Sequence, residues 1–125
     1  MIGVGKTDLT TRGSVSIESL IVIPVFLLAL FAIMQASLWV HASSVAQAAA
    51  ADGVRAGSAY GGTVAEGRAV AESILTSRAV GEQWVVSFED DGRSLTIIIT
   101  GRATSVVPGT SVSVRESATL PWEGR

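Results

Sequence analysis

Hydrophobic positions are distributed unevenly along the chain. From Ser19 to Ala51 no residue carries a formal charge. The first part of that stretch, Leu20–Val40, reads LIVIPVFLLALFAIMQASLWV and is apolar on every side. As a helix rising about 1.5 Å per residue, it covers a bilayer core of roughly 30 Å. The pattern therefore predicts a membrane-crossing helix with Leu20 and Pro24 near its start and Trp39 and Val40 near its end. After His41 the composition softens into ASSVAQAAAADGVRAGSAYGG. Alanine is the best helix former, so the helix is expected to continue out of the membrane to about Arg55. Gly61-Gly62 is the expected stop.

Thr63 then has the pattern of a new helix N-cap, with Glu66 three residues on completing a capping box. Val64, Ala71, Ile74 and Leu75 form a narrow apolar stripe, with Arg68, Glu72 and Arg78 on the wet side and Gly81 as the expected C′ residue. Past Gly81 the period changes to two. Trp84, Val86 and Phe88 alternate with Val85, Ser87 and Glu89, and Leu95, Ile97 and Ile99 alternate with Thr96, Ile98 and Thr100. Asp91-Gly92 between them is a tight-turn signal, so Gln83–Asp90 and Ser94–Ala103 read as a hairpin. Pro108-Gly109 marks a second turn, and Val112, Val114 and Ala118 mark a third strand. Such a sheet needs a cover on its apolar face, and the Thr63–Val80 helix is the expected one. The fold class is α+β: a long N-terminal transmembrane helix, a second shorter helix and a three-stranded antiparallel sheet. Three regions are expected: 1–13 as a leader or cytoplasmic tail, 14–55 as the transmembrane helix and its extension, and 56–125 as a small extracytoplasmic domain.

Composition narrows the function classes. The chain has 125 residues, a net charge of -2, one lysine and scattered arginines, which argues against a nucleic-acid surface. It contains no cysteine, so disulfide frameworks, thiolate zinc sites and cysteine nucleophiles are excluded. His41 is the single histidine and has no evident carboxylate partner. No serine lies in a G-x-S-x-G turn, and no glycine-rich phosphate loop follows a strand. Glu89-Asp90-Asp91 lacks EF-hand spacing and reads as a solvated turn. The sequence thus gives no catalytic, cofactor or metal residue, and a non-enzymatic chain is expected.

Glu18 is the residue that a plain membrane anchor does not need. An ionisable group against a hydrocarbon segment costs free energy, up to about 2.5–3.5 kcal/mol at a helix centre and less near an end. Lys6, Arg12 and the initial amine precede the apolar run, whereas the nearest charges after it are Asp52 and Arg55. The positive-inside rule therefore places the N-terminus in the cytoplasm and the C-terminal domain outside it. Ala29, Ala32, Ala36 and Ser37 recur near helical turns and permit close approach of another helix.

The order of Gly13, Glu18 and the apolar run resembles the processing site of type IV prepilins: a short polar leader ending in glycine, a glutamate five places in, then a long apolar helix. More closely, RGSVSIESLIVIPVFLLALFAIMQ resembles the N-terminal segment of TadE-like pseudopilins of tight-adherence, Flp-type pilus systems. Pro24 and the segment AAAADGVRAGSAYG are similar to that family, and the turn Val107–Gly109 is similar in character. The resemblance implies a minor pilin or pilus-assembly protein of the bacterial cytoplasmic membrane. It implies cleavage between Gly13 and Ser14 by a prepilin peptidase, and a register role for Glu18 opposite a neighbouring subunit's new amine. Its implied partners are the membrane, other pilin-like subunits and a pilus assembly platform, with no nucleic acid. Ser14 after the cut and Ser19 after the glutamate depart from the commonest family pattern.

Two other readings share part of this pattern. Ala46-Gln47-Ala48 is an A-x-A-like site, as in a secreted domain with a cleaved Sec signal, although the apolar run exceeds the 7–15 residues typical of a signal h-region. A generic single-pass anchor displaying a binding domain has the same architecture and differs only in partners.

Overall fold

The computed structural model describes the backbone of residues 2–79, 81–107 and 109–124, with side chains described from residue 17 onward. Its elements are α1 (Ile2–Ser58), α2 (Val64–Arg78), β1 (Gly81–Asp90), β2 (Ser94–Ala103) and β3 (Val112–Pro121). The chain forms two compact units, Met1–Met34 and Gln35–Arg125, and α1 contributes to both. This is the α+β arrangement that the periodicity predicts.

In the first unit, the described side chains from Ile17 to Met34 are exposed apart from Ser19, which is half-buried. The apolar character expected of a membrane helix is therefore left entirely on the outside. A helix of a soluble domain buries one stripe, and this stretch buries none.

The second unit is built on a sheet of order β1-β2-β3, antiparallel throughout. Phe88 pairs with Ile97 and Val86 with Ile99, while Ile97 pairs with Ala118 and Gly101 with Val114. Because β2 is central, its alternate residues Leu95, Ile97 and Ile99 are completely buried. Val86 and Val114 flank them, and Phe88, Trp84 and Ala118 are only partly buried. The expected inward face is the observed one.

The cover is where the structure departs from the sequence expectation. The second helix contributes Ala71 and Leu75, but the larger share comes from α1: Ala42, Val45, Ala46, Ala49, Ala50 and Val54 are all buried in the same core. Their spacing of three and four residues is one helical stripe. An alanine-rich stretch that looks like a mere extension of the span is thus the main roof of the sheet. The helix also continues past Arg55 to Ser58. Glycines allow α1 and α2 to approach closely. A Cβ on Gly67 would lie 2.6 Å from the carbonyl oxygen of Gly53 and 3.2 Å from the Cα of Gly57.

Local signals hold at most boundaries. The N–H of Glu66 donates to the Thr63 hydroxyl at 3.2 Å, the first half of the capping box. Helix α2 ends at Arg78, with Ala79 as its C-cap donating to the Leu75 carbonyl, and Gly81 opens β1 instead of terminating α2. Between Glu82 and Val85 the ladder shifts, so that Gln83 and Trp84 oppose the single residue Gly101. At this bulge Gln83 takes a φ of 57°, a left-handed conformation. The Trp84 ring lies where a Cβ on Gly101 would be, so glycine at 101 makes room for the indole. Pro108, part of the expected second turn, lies outside the described residues.

Candidate functional site

The residues singled out for assembly lie on α1. Gly13 and Ser14 belong to its N-terminal part, and their side chains lie outside the described residues. Glu18 is exposed, one turn or less before the apolar run, and no group among the described residues bonds its carboxylate. Leu20, immediately after, is 74 % exposed. Pro24 sits inside the helix, where its ring nitrogen has no hydrogen to donate to the Leu20 carbonyl.

Gln35 marks where the chain changes partners. Its amide holds the loop between β2 and β3 from both sides: Nε2 donates to the Thr104 carbonyl at 3.2 Å and Oε1 accepts from the Val106 N–H at 2.8 Å. Trp39 donates from Nε1 to the Ser113 carbonyl at 3.3 Å, capping one acceptor on the outer edge of β3. Trp39 nevertheless stays 41 % exposed, and Val40 beside it is exposed. His41 Nε2 lies 3.2 Å from the Arg78 carbonyl, so the ring donates to one of the last carbonyls of α2. The lone histidine therefore ties α1 to the end of α2. None of these contacts has a local sequence signal, since each joins residues at least 37 positions apart.

The acidic turn uses its charge structurally. Asp91 Oδ1 accepts from the N–H groups of Ser94 and Arg93 at 2.7 and 2.8 Å, while Asp90 Oδ1 accepts from the Gly92 N–H and the Trp122 indole, both at 2.8 Å. The Ser94 and Arg93 bonds hold the Asp91 carboxyl below its ordinary value of 3.8, because they favour the charged form. Trp122, almost fully buried, docks the C-terminal tail under this turn, and the next residue's N–H donates to the Ser58 carbonyl at 2.9 Å. Arg68, expected on the wet side, instead donates to the Val86 carbonyl at 2.6 Å and lies 5.4 Å above the Phe88 ring. Gln47 reaches Glu116, a carboxylate on the inner side of edge strand β3, at 3.3 Å. Charged groups thus guard both sheet edges, as edge strands require. Among the described residues no three histidine or acidic side chains come together as a metal site.

The A-x-A-like site has a definite structural setting. Ala46 and Ala49 are completely buried within α1, and a cut after Ala48 would sever Ala42, Val45 and Ala46 from the core they complete.

Comparison with known proteins gives one family match. Residues 13–55 match the model of the TadE-like protein family. The match begins at Gly13, includes Glu18 and the whole apolar run, and ends at Arg55. No curated protein and no solved structure matches the chain. Within the described residues Ile17–Ser58 is long and apolar enough to cross a membrane. The family match and the long apolar helix coincide in the stretch that follows Glu18. Over residues 13–55, from the glycine that precedes the glutamate to the end of the alanine-rich stretch, the chain is similar to TadE-like proteins.

Proposed function

We propose that this chain is a TadE-like minor pilin or pilus-assembly protein, non-enzymatic and fixed in the bacterial cytoplasmic membrane by one helix. The observation that carries the reading is a coincidence. The segment matching the TadE-like family contains the stretch of α1 whose apolar side chains are all exposed, directly after Glu18. Packing suggests where the span ends. Gln35 is bonded to the β2–β3 loop of the folded unit, and the exposed stretch before it, Ile17–Met34, has a length of about 27 Å at the usual helical rise. The excess of Lys6 and Arg12 before the span favours a cytoplasmic N-terminus and an extracytoplasmic second unit.

In this reading a prepilin peptidase cuts between Gly13 and Ser14, where glycine offers the least resistance to a bent substrate backbone. The new Ser14 amine of one subunit then pairs with Glu18 of a neighbour. A carboxylate beside hydrocarbon is costly unless it meets a cation, so in-register packing is favoured over slipped packing. The partners are other pilin-like subunits and the assembly platform.

Intact mass spectrometry of protein extracted from the native host's membranes tests the processing step. Wild type is expected to begin at Ser14, and Gly13→Leu to retain Met1. Wild type that still begins at Met1 would refute processing and leave an uncut anchor.

A further inference from the structure

We propose that the segment after β3, Trp122–Gly124, is a clasp that ties the end of α1 to the β1–β2 turn and that opens as one unit, ahead of the sheet. All of its parts lie in the second unit, so it stands independently of the membrane reading.

The need for a clasp follows from the roof over the sheet. The residues that α1 contributes there are mostly alanines, Ala42, Ala46, Ala49 and Ala50, whose short side chains offer few atoms for contact. Towards its end the helix comes closer to the sheet, and a Cβ on Gly57 would lie 2.9 Å from Leu95 Cδ2. The last carbonyls of a helix find no amide further along to bond them. Just past α1 the Gly62 N–H donates to the Ala59 carbonyl at 2.7 Å. The Ser58 carbonyl instead accepts from the Glu123 N–H at 2.9 Å. A residue from beyond β3 thus caps α1.

The same segment grips the turn. The Trp122 N–H donates to the Arg93 carbonyl at 3.0 Å, and its indole donates to Asp90 Oδ1 at 2.8 Å. That oxygen also accepts from the Gly92 N–H, so one carboxylate joins the turn to the segment. Gly124 takes a φ of 79°, a left-handed conformation that glycine adopts without strain. The Tyr60 ring, although 83 % exposed, lies where a Cβ on Gly124 would be. Three consecutive residues therefore touch the β1–β2 turn, the last residue of α1 and the loop that follows it.

The clasp is separable because the ladder ends before it. Pro121, paired with Ser94, is the last rung of β3 and has no N–H to donate. Beyond it the segment is held by individual bonds and one buried ring. Strand β2, by contrast, is paired on both sides, and its Leu95, Ile97 and Ile99 are completely buried. Regions with fewer buried contacts open locally at lower free energy than the core. Since Asp90 holds both Gly92 and Trp122, and Glu123 holds Ser58, opening the segment loosens the turn and the last turn of α1 together.

Hydrogen exchange of the full chain in detergent micelles, resolved to single amides, tests this. Trp122→Phe keeps a ring and removes the indole donor. Exchange at Gly92, at Glu123 and in the last turn of α1 is expected to rise together by about tenfold, the effect of losing one bond to a charged acceptor. Exchange at Ile97 and Ile99 is expected to stay unchanged. Gly124→Ala puts a methyl against the Tyr60 ring and should speed the same amides, and adding Tyr60→Ala should partly restore their protection. If Ile97 and Ile99 accelerate by the same factor, the segment is part of the global core and no separate clasp exists. If Glu123 accelerates while Gly92 and the last turn of α1 do not, the segment frays without holding anything. Unchanged exchange at Glu123 in both single variants would also overturn the proposal.

Discussion

The residues of the β1–β2 turn show how a feature readable as chemistry becomes architecture. Three consecutive acids are a natural place to look for a cation, yet two of them spend their oxygens on backbone N–H groups and on the Trp122 indole. The tight turn itself was legible in Asp91-Gly92, because that pair has a local conformational meaning. The Asp90–Trp122 bond was not, because the partners are 32 positions apart and the tail around Trp122 has no periodicity. The turn also implies a pH dependence. The folded state depresses the Asp91 pKa, so the stabilisation is present above the ordinary value of 3.8 and is lost as pH falls through the lower, folded value. Asp91→Asn removes that titration. In denaturant melts of the full chain in detergent, the wild-type midpoint is therefore expected to fall more steeply than the variant's once pH drops below 3.8. Trp84 and Trp122, both packed in the folded unit, supply the fluorescence signal. Parallel pH profiles would contradict this account of the turn.

At the scale of elements, period-two alternation revealed the three strands and their inward faces, since one side of this sheet is dry and the other wet. The double use of α1 stayed hidden. Its N-terminal part is apolar all round, and its C-terminal part is alanine-rich, a composition that satisfies helix propensity equally well in solvent, in lipid or against a sheet. Only the stripe Ala42, Val45, Ala46, Ala49 distinguishes these environments, and small side chains make that stripe faint. The site residues divide in the same way. Glu18 and Pro24 stand out in sequence because they interrupt an apolar run, whereas Gln35 looks like a minor polar lapse until the loop it holds is seen. The α1–α2 crossing gives a direct test of packing. Gly67→Ala gains about 1 kcal/mol of helix propensity. It also places a methyl 2.6 Å from a backbone oxygen that cannot rotate away. Overpacking of this kind costs about 1–3 kcal/mol, and the immovable neighbour puts this site at the upper end. Urea unfolding followed by tryptophan fluorescence should show a net loss of stability. A gain would mean that the two helices separate freely.

For the molecule as a whole, the proposed reading gives a single helix two solvents. Ile17–Met34 presents apolar side chains on all faces, and the part of α1 beyond Gln35 is roof to a sheet. In the proposed reading the first part holds the chain in the membrane and the second is an α+β unit with a charged β1–β2 turn. In the proposed reading, Glu18, the ionisable group at the start of the exposed run, separates an assembling subunit from a passive tether. Substituting it by glutamine keeps the shape and removes the charge. The decisive measurement is the quantity of pili sheared from host cells lacking this chain and supplied with either wild type or Glu18→Gln, with membrane levels of both forms checked by immunoblot. Wild type is predicted to restore piliation, while Glu18→Gln accumulates in the membrane and does not. Undiminished piliation in cells without the chain, or full restoration by Glu18→Gln, would contradict the assembly role proposed for it.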